Sequence, residues 1–286
     1  MESAVAHSEK YTGNSFDLQG FLARSKQIDL SDLDWAGVRE HPVSPSEVRS
    51  LVYMMDIESH TLCYVRDLLN AEAGTDSDIS DFLGCWLYEE SYHGRAIERF
   101  LREIGVERPA SVCSRRKPTL MERLEQGATV LLSKVFPKDF VTVYMTWGAI
   151  QEHSTLFGYT NLARNTRNPV LAELLRRIAR DESRHFGFYY YKAFQGLKNS
   201  PIARRLVSFL LRRFWTPVGE GVKPRSEADF LLNFIFDGPE GRAALERIDR
   251  TFSRLPGLAW FDLLCRRSDA ARRRQTLGLI PEKAAA

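Results

Sequence analysis

Apolar positions recur at three- and four-residue intervals along most of the chain, and nowhere do they alternate with polar ones long enough to make a strand. The periodic stretches predict long helices over about 47–70, 81–104, 139–164 and 169–197, and a shorter one over about 120–134. Punctuation agrees with this. Pro45 and Ser46 open the first helix, where proline has no N–H to leave unpaired. Asp78 or Ser80 can cap the second, and NTRNP is a tight connection that puts Pro169 in the first turn of the fourth. A short helix is expected near 16–25. Three or four more follow Pro201, broken at TPVGEGVKP, DGPEG and Pro256–Gly257. The expected fold class is all-α: a polar arm over 1–44, a four-helix bundle over 45–200, and a helical extension over 201–286 packed on the bundle, as a single domain overall.

Composition narrows the function classes. Apolar residues are 44% and charged residues 27% of the 286, which excludes a disordered or collagen-like chain. No apolar run approaches the ~18 residues of a membrane span, and the first residues lack the layout of a secretion signal. Cys63, Cys85, Cys113 and Cys265 form no CxxC pair, so they are expected as reduced thiols in a cytoplasmic protein. The net charge of +3 is too small for a nucleic-acid-binding polycation. Arginines do cluster, at Arg176–Arg177–Arg180, Arg204–Arg205, Arg212–Arg213 and Arg272–Arg273–Arg274. Solvated helix faces fit these clusters, and so do docking faces for nucleic acid or an acidic protein. Nucleotide-binding GxxxxGKS, the GxSxG elbow and HExxH are absent.

Two ExxH motifs carry the candidate chemistry, Glu90-Ser91-Tyr92-His93 and Glu182-Ser183-Arg184-His185. Residues three apart share a helix face, so each motif offers a carboxylate and an imidazole to one ion. Alone, an ExxH is most often a surface pair. Each of these, however, follows a helix with a glutamate inside an apolar stripe. Glu58 lies among Leu51, Met54, Met55, Thr61, Leu62 and Val65, and Glu152 among Met145, Gly148, Ala149, Thr155, Leu156 and Tyr159. A lone carboxylate facing a bundle core costs several kcal/mol unless an arginine, a proton or a metal cation compensates it. The spacing is nearly duplicated, with 32 residues from Glu58 to Glu90 and 30 from Glu152 to Glu182. A glutamate from each of two helices plus an ExxH from each of two others is the di-metal arrangement of ferritin-like bundles.

Four carboxylates and two imidazoles, with no thiolate, suit iron or manganese more than structural zinc. By position, Glu90 and Glu182 would bridge two ions. Glu58 and His93 would complete one ion, and Glu152 and His185 the other. Asp181 could accept a hydrogen bond from a histidine ring and fix its tautomer, or pair with Arg177 or Arg184 at the surface. An apolar channel beside the metals has Phe82, Leu83, Tyr88, Met145, Leu156, Tyr159, Phe186 and Tyr189 as candidate lining.

The stretches Trp86-Leu87-Tyr88-Glu89-Glu90-Ser91-Tyr92-His93-Gly94, Gln151-Glu152-His153-Ser154-Thr155 and Asp181-Glu182-Ser183-Arg184-His185 resemble the soluble acyl-acyl-carrier-protein desaturases. That family pattern is W, three residues, ExxHG, then QExxT and DExRH, and every one of those letters is kept. The match covers about a quarter of the chain, over roughly 82–99 and 144–192, with a weaker part at 56–58. The resemblance implies a diiron enzyme that uses O₂ and two electrons to remove two hydrogens from an acyl chain carried on acyl carrier protein. It also implies a ferredoxin-type electron donor and a homodimer. Thr155 matches the family's hydroxyl near the oxygen-binding face, and Trp86 and Asp181 match residues of its electron route.

The chain departs from the family at Ser91-Tyr92 and Ser183, and residues 200–286 do not align. The same metal core serves hydroxylases, N-oxygenases and oxidases, some with a mixed manganese/iron pair, on other small-molecule or carrier-bound substrates. Ile178 stands where one N-oxygenase group adds a third histidine, which argues against that group. An iron store explains neither the arm nor the 90-odd residues after the fourth helix. A helical DNA-binding or scaffold protein explains none of the buried acids.

Overall fold

Proline and small polar residues decide where the helices begin. In the computed structural model Pro45, Pro137, Pro169 and Pro201 each occupy the first turn of a helix. Ser44, Asp76, Asn168 and Ser200 each accept a backbone N–H as N-caps. Ser44 and Glu47 complete a capping box. The structure describes residues 5, 13–61, 65, 76–107, 134–220 and 222–280. The expected helix over about 120–134, most of 62–70, the middle of the crossover between the bundle halves, Leu62, Cys63 and Cys113 lie outside the described residues. Cys85 and Cys265 are free thiols.

The described residues are all-α. In chain order they form α1 (Leu18–Arg24), a 3₁₀ turn (Ala36–Glu40), α2 (Pro45–Glu58), α3 (Ser77–Glu103), α4 (Pro137–Asn165) and α5 (Pro169–Asn199). The C-terminal helices are α6 (Pro201–Phe214), α7 (Arg225–Ile235), α8 (Gly238–Ser253) and α9 (Leu263–Thr276). Two boundaries differ from expectation. The regular part of α2 ends at Glu58 in a turn at 59–60, where Ser59 bonds back to the Met55 carbonyl. The second helix starts earlier than expected because Asp76, not Asp78 or Ser80, caps it on the Ile79 N–H.

Helices α3, α4 and α5 are the long rods, at 27, 29 and 31 residues, and the 14-residue α2 packs among them. α4 and α5, joined by three residues, make the most extensive contact, α2 packs on α3, and α3 closes against α5. Glycines set the spacing at two crossings. A Cβ at Gly148 would stand 2.6 Å from the Tyr189 ring, and one at Gly94 would stand 3.3 Å from Glu58 Cβ. Glycine therefore lets α4 meet α5, and α3 meet α2, at the level of the buried acids.

The C-terminal helices close one flank. α7 contacts α2 and α4, α8 contacts α4, and α9 contacts α7 and α8. Arg49 on α2 holds Glu227 on α7 through two bonds of 2.9 and 2.8 Å, both side chains buried, while its guanidinium lies 3.8 Å over Phe230. Asp229 on α7 is bound by Arg267 and Arg274 of α9. No helix among the described residues is long and apolar enough to cross a membrane.

Candidate metal centre

The apolar stripes of α2 and α4 turn Glu58 and Glu152 inward, and the ExxH turns of α3 and α5 supply the rest. Glu58, Glu90, His93, Glu152, Glu182 and His185 are all buried, both histidines completely. They divide into two overlapping groups. Glu58, Glu90, His93 and Glu182 bring one ligand atom each within 4.8 Å of one another, and so do Glu90, Glu152, Glu182 and His185. Glu90 and Glu182 stand in both groups.

Both imidazoles present Nδ1 to the carboxylates. His185 Nδ1 lies 2.9 Å from Glu90 Oε1 and 3.6 Å from Glu152 Oε2, and His93 Nδ1 lies 3.4 Å from Glu182 Oε1. Glu90 Oε1, Glu182 Oε1 and both Nδ1 atoms are buried yet lack the alignment for a hydrogen bond among the described residues. Buried polar atoms without hydrogen bonds are rare in native proteins because each carries its desolvation cost uncompensated. Here four of them converge on common points. Hard carboxylate oxygens and borderline imidazole nitrogens around those points fit a pair of divalent cations.

Electrostatics agree. Burial pushes the Glu58 carboxyl up, and burial plus the neighbouring carboxylates push Glu90 and Glu152 well above the ordinary range. Glu182 is held down: burial opposes its charge, but His93 and His185 outweigh it. Among the described residues no lysine or arginine comes within ion-pair distance of these four acids, and Arg184 pairs with Glu89 and Asp181 instead.

Arg184 acts one layer out. It bridges Asp181 at 2.6 Å and Glu89 at 3.0 Å. Asp181 takes His93 Nε2 at 3.1 Å, and Glu89 takes His185 Nε2 at 2.7 Å. Each histidine therefore has an outer carboxylate on the nitrogen that faces away from the cluster, which fixes ring orientation and basicity. Burial works against charge on His185, but Glu152 and Glu89 outweigh it and raise the imidazole to about 9. His93 is likewise raised well above the ordinary imidazole range, by Asp181 and Glu182 against the same burial. Burial likewise opposes charge on Asp181, yet His93 and Arg184 bring it down to about 2.

Glu89 has no role in the sequence expectation, and its only signal there is adjacency to Glu90. It also takes Ser25 Oγ at 2.9 Å, which ties the segment after α1 to the site. Asp181 combines both uses expected of it, but with Arg184 alone: Arg177 turns instead to Asp32 and Glu173. Trp86 is buried edge-on to His185, with ring centroids 6.5 Å apart. The Thr155 hydroxyl lies 2.9 Å from Glu182 Oε2 and 2.9 Å from the Glu152 carbonyl. The Tyr159 hydroxyl donates to Glu58 Oε1. His153, next to Glu152, faces elsewhere and stacks on Phe186 at 4.1 Å. Burial brings its imidazole down to about 3, so it stays neutral.

An apolar pocket opens beside the cluster, with an empty volume of about 650 Å³ counting the part open to solvent. Glu58, Thr155 and Tyr159 form its metal-side wall, and α7 with the 217–218 loop forms the other. The expected channel lining is largely corrected. Only Tyr159 of those eight residues lines this pocket; Phe82, Leu83, Met145, Leu156, Phe186 and Tyr189 are core, and Tyr88 is exposed on the surface. Aromatic packing explains the difference. Phe82 stacks on Phe188 at 3.9 Å and sits edge-on to Tyr189, which fills the α3–α5 side.

The family model described as "Fatty acid desaturase" matches residues 59–209, more than half of the chain. That segment contains Glu90, His93, Glu152, Glu182 and His185, and Glu58 immediately precedes it. No curated protein and no solved structure matches the chain.

Proposed function

The chain belongs to the fatty acid desaturase family, and we propose that it desaturates a fatty-acyl chain carried on acyl carrier protein, at a diiron centre in a ferritin-like bundle, with electrons from a ferredoxin-type donor. The reaction balances as O₂, two electrons and two protons consumed, two hydrogens removed from adjacent methylenes, and two waters formed. Glu58, Glu90, His93 and Glu182 would hold one iron and Glu90, Glu152, Glu182 and His185 the other. Such an iron pair would pass electrons to O₂ and so supply the oxidising power that an unactivated C–H bond requires.

One observation carries the proposal: the two buried four-ligand groups that share Glu90 and Glu182 open onto an apolar pocket through Glu58. The pocket's polar side chains are already engaged within the protein. Tyr53 donates to the Val218 carbonyl, Ser154 to the Ile150 carbonyl, and Tyr159 to Glu58. Among the described residues no cationic side chain lines it, so none of them offers a partner for a carboxylate or phosphate head group inside. That favours a methylene chain within and its polar carrier outside. The apolar walls orient the chain and exclude water. Thr155 sits between Glu182 and the pocket with a hydroxyl that can hold a proton at Oγ1. Trp86 against His185, and Asp181 on His93, are the proposed route for electrons from the surface. The extension over 201–286 belongs to the same working unit because it supplies the outer wall of the pocket.

The test is anaerobic iron loading, then O₂ with a reductant and acyl carrier proteins bearing chains of graded length. Loss of two hydrogens from the acyl product is expected. Gain of one oxygen atom would replace this proposal with a monooxygenase. Glu90→Ala and Glu182→Ala should each abolish binding of both irons, and a variant still holding two would remove the bridging assignment.

A further inference from the structure

Helix glycines cost stability relative to alanine, so a buried one needs a reason. Gly94 and Gly148, and the half-buried Gly196, have one in packing: an added Cβ would stand 3.3, 2.6 and 2.2 Å from a neighbouring side chain. Gly158 in α4 does not. Its backbone lies outside the positive-φ region that would call for glycine. It is buried, yet among the described residues a Cβ there would find only Met54 Cε within 4 Å, at 3.7 Å, an ordinary contact with the end of a flexible side chain. The space in front of Gly158 is the pocket, which it lines together with Thr155, one turn earlier, and Tyr159.

We propose that Gly158 sets the width of the pocket beside the metal-facing wall, and so selects a slender, unbranched chain at the level where the reaction occurs. The inference rests on the acyl-chain reading above. Side chains at 158 would project across the pocket toward α2 and α7, where Met54, Leu231 and Leu232 form the facing wall. A methyl fits there. A leucine takes the room that a chain of methylenes would occupy.

The experiment measures binding, not turnover. Full-length, anaerobically iron-loaded protein is titrated with straight-chain saturated fatty acids, read by displacement of an anilinonaphthalene sulfonate fluorophore. Wild type is expected to bind them. Gly158→Leu should weaken the binding at least tenfold, on the scale of one misfitted apolar group, with iron content unchanged. Gly158→Ala should keep the binding and raise the melting temperature by roughly 2 °C, as a helix glycine replaced without strain does. Equal binding by Gly158→Leu and wild type would overturn the role of Gly158 and leave the desaturase reading standing. Failure of wild type to bind any chain would overturn this inference, whereas the desaturase reading falls only if carrier-bound chains also lose no hydrogens in the turnover test above. If Gly158→Leu does not fold, Gly158→Ala decides: a lowered melting temperature would mean that glycine is required for packing, and the proposal falls.

Discussion

Glu89 and Glu90 are consecutive residues with opposite surroundings. Glu90 faces three other carboxylates across the cluster and is pushed up in pKa by burial and by them. Glu89 turns about a third of a circle away, meets His185 Nε2 and Arg184, and is held low by them against the pull of burial. The ExxH pattern makes Glu90 legible because its partner His93 is on the same helix. The partners of Glu89 are on α5, so no local spacing reveals it. The same applies to Tyr159, whose bond to Glu58 joins α4 to α2. Glu89→Gln keeps the volume and removes the charge behind His185. Metal affinity should fall roughly 10- to 100-fold with folding retained, read by competition with a chelator of known affinity. Unchanged affinity would mean that Glu89 is an ordinary ion-pair partner of Arg184.

At the scale of elements, helix starts were legible and helix neighbours were not. Proline in the first turn and an Asx or Ser cap are local signals, and α4, α5 and α6 begin where those signals fall. The start of α3 was displaced by two or more residues because Asp76, Asp78 and Ser80 are all chemically able to cap, and only the geometry at the Ile79 N–H selects one. Pairing of α4 with α5 depends on close approach, and Gly148 under the Tyr189 ring permits it. Gly148→Ala would place a methyl 2.6 Å from that ring. A loss of about 2 kcal/mol in stability is expected, as for other overpacked cores, and urea denaturation measures it. The contrast with Gly158→Ala is the useful one: two glycines of one helix, ten residues apart, with opposite signs expected.

At the scale of the whole molecule the C-terminal helices matter most. They lie mostly beyond the family-matched segment, yet they wall the pocket. The arginine cluster at 272–274 shows how charge is spent inside: Arg274 binds Asp229, and Arg272 donates to the Phe236 carbonyl at 2.8 Å. Those two arginines stabilise α7 and α9, whereas Arg205, Arg212 and Arg213 on α6 are exposed, with Arg212 lying 4.0 Å over the Trp260 ring. Asp229 gives the assembly a pH dependence. Burial would raise its pKa, but Arg274 and Arg267 outweigh burial and hold it below the ordinary value. The unfolded chain therefore takes up that proton first. The stability from Asp229 is complete above the unfolded value of about 4 and is lost as pH falls through the lower folded value. Urea midpoints of wild type and Asp229→Asn should differ by a few kcal/mol equivalents near neutrality, as when one partner of a buried pair is removed. The two should stay apart at about pH 4 and converge only as pH falls below it, through the lower folded value of Asp229. A constant difference across that range would mean that the Asp229 charge contributes nothing.

The sequence alone determined the helical class, most helix starts and the six candidate ligands, because period, capping and the ExxH spacing act within one turn of one helix. Only the tertiary structure decided that Glu89 and Arg184 stand behind the histidines and that the cavity lies between α2, α4 and α7. It also decided that the aromatic residues beside the motifs are filled core. Those facts depend on which helices approach and how closely, and that is settled by glycine crossings, buried ion pairs and ring packing between residues far apart in the chain.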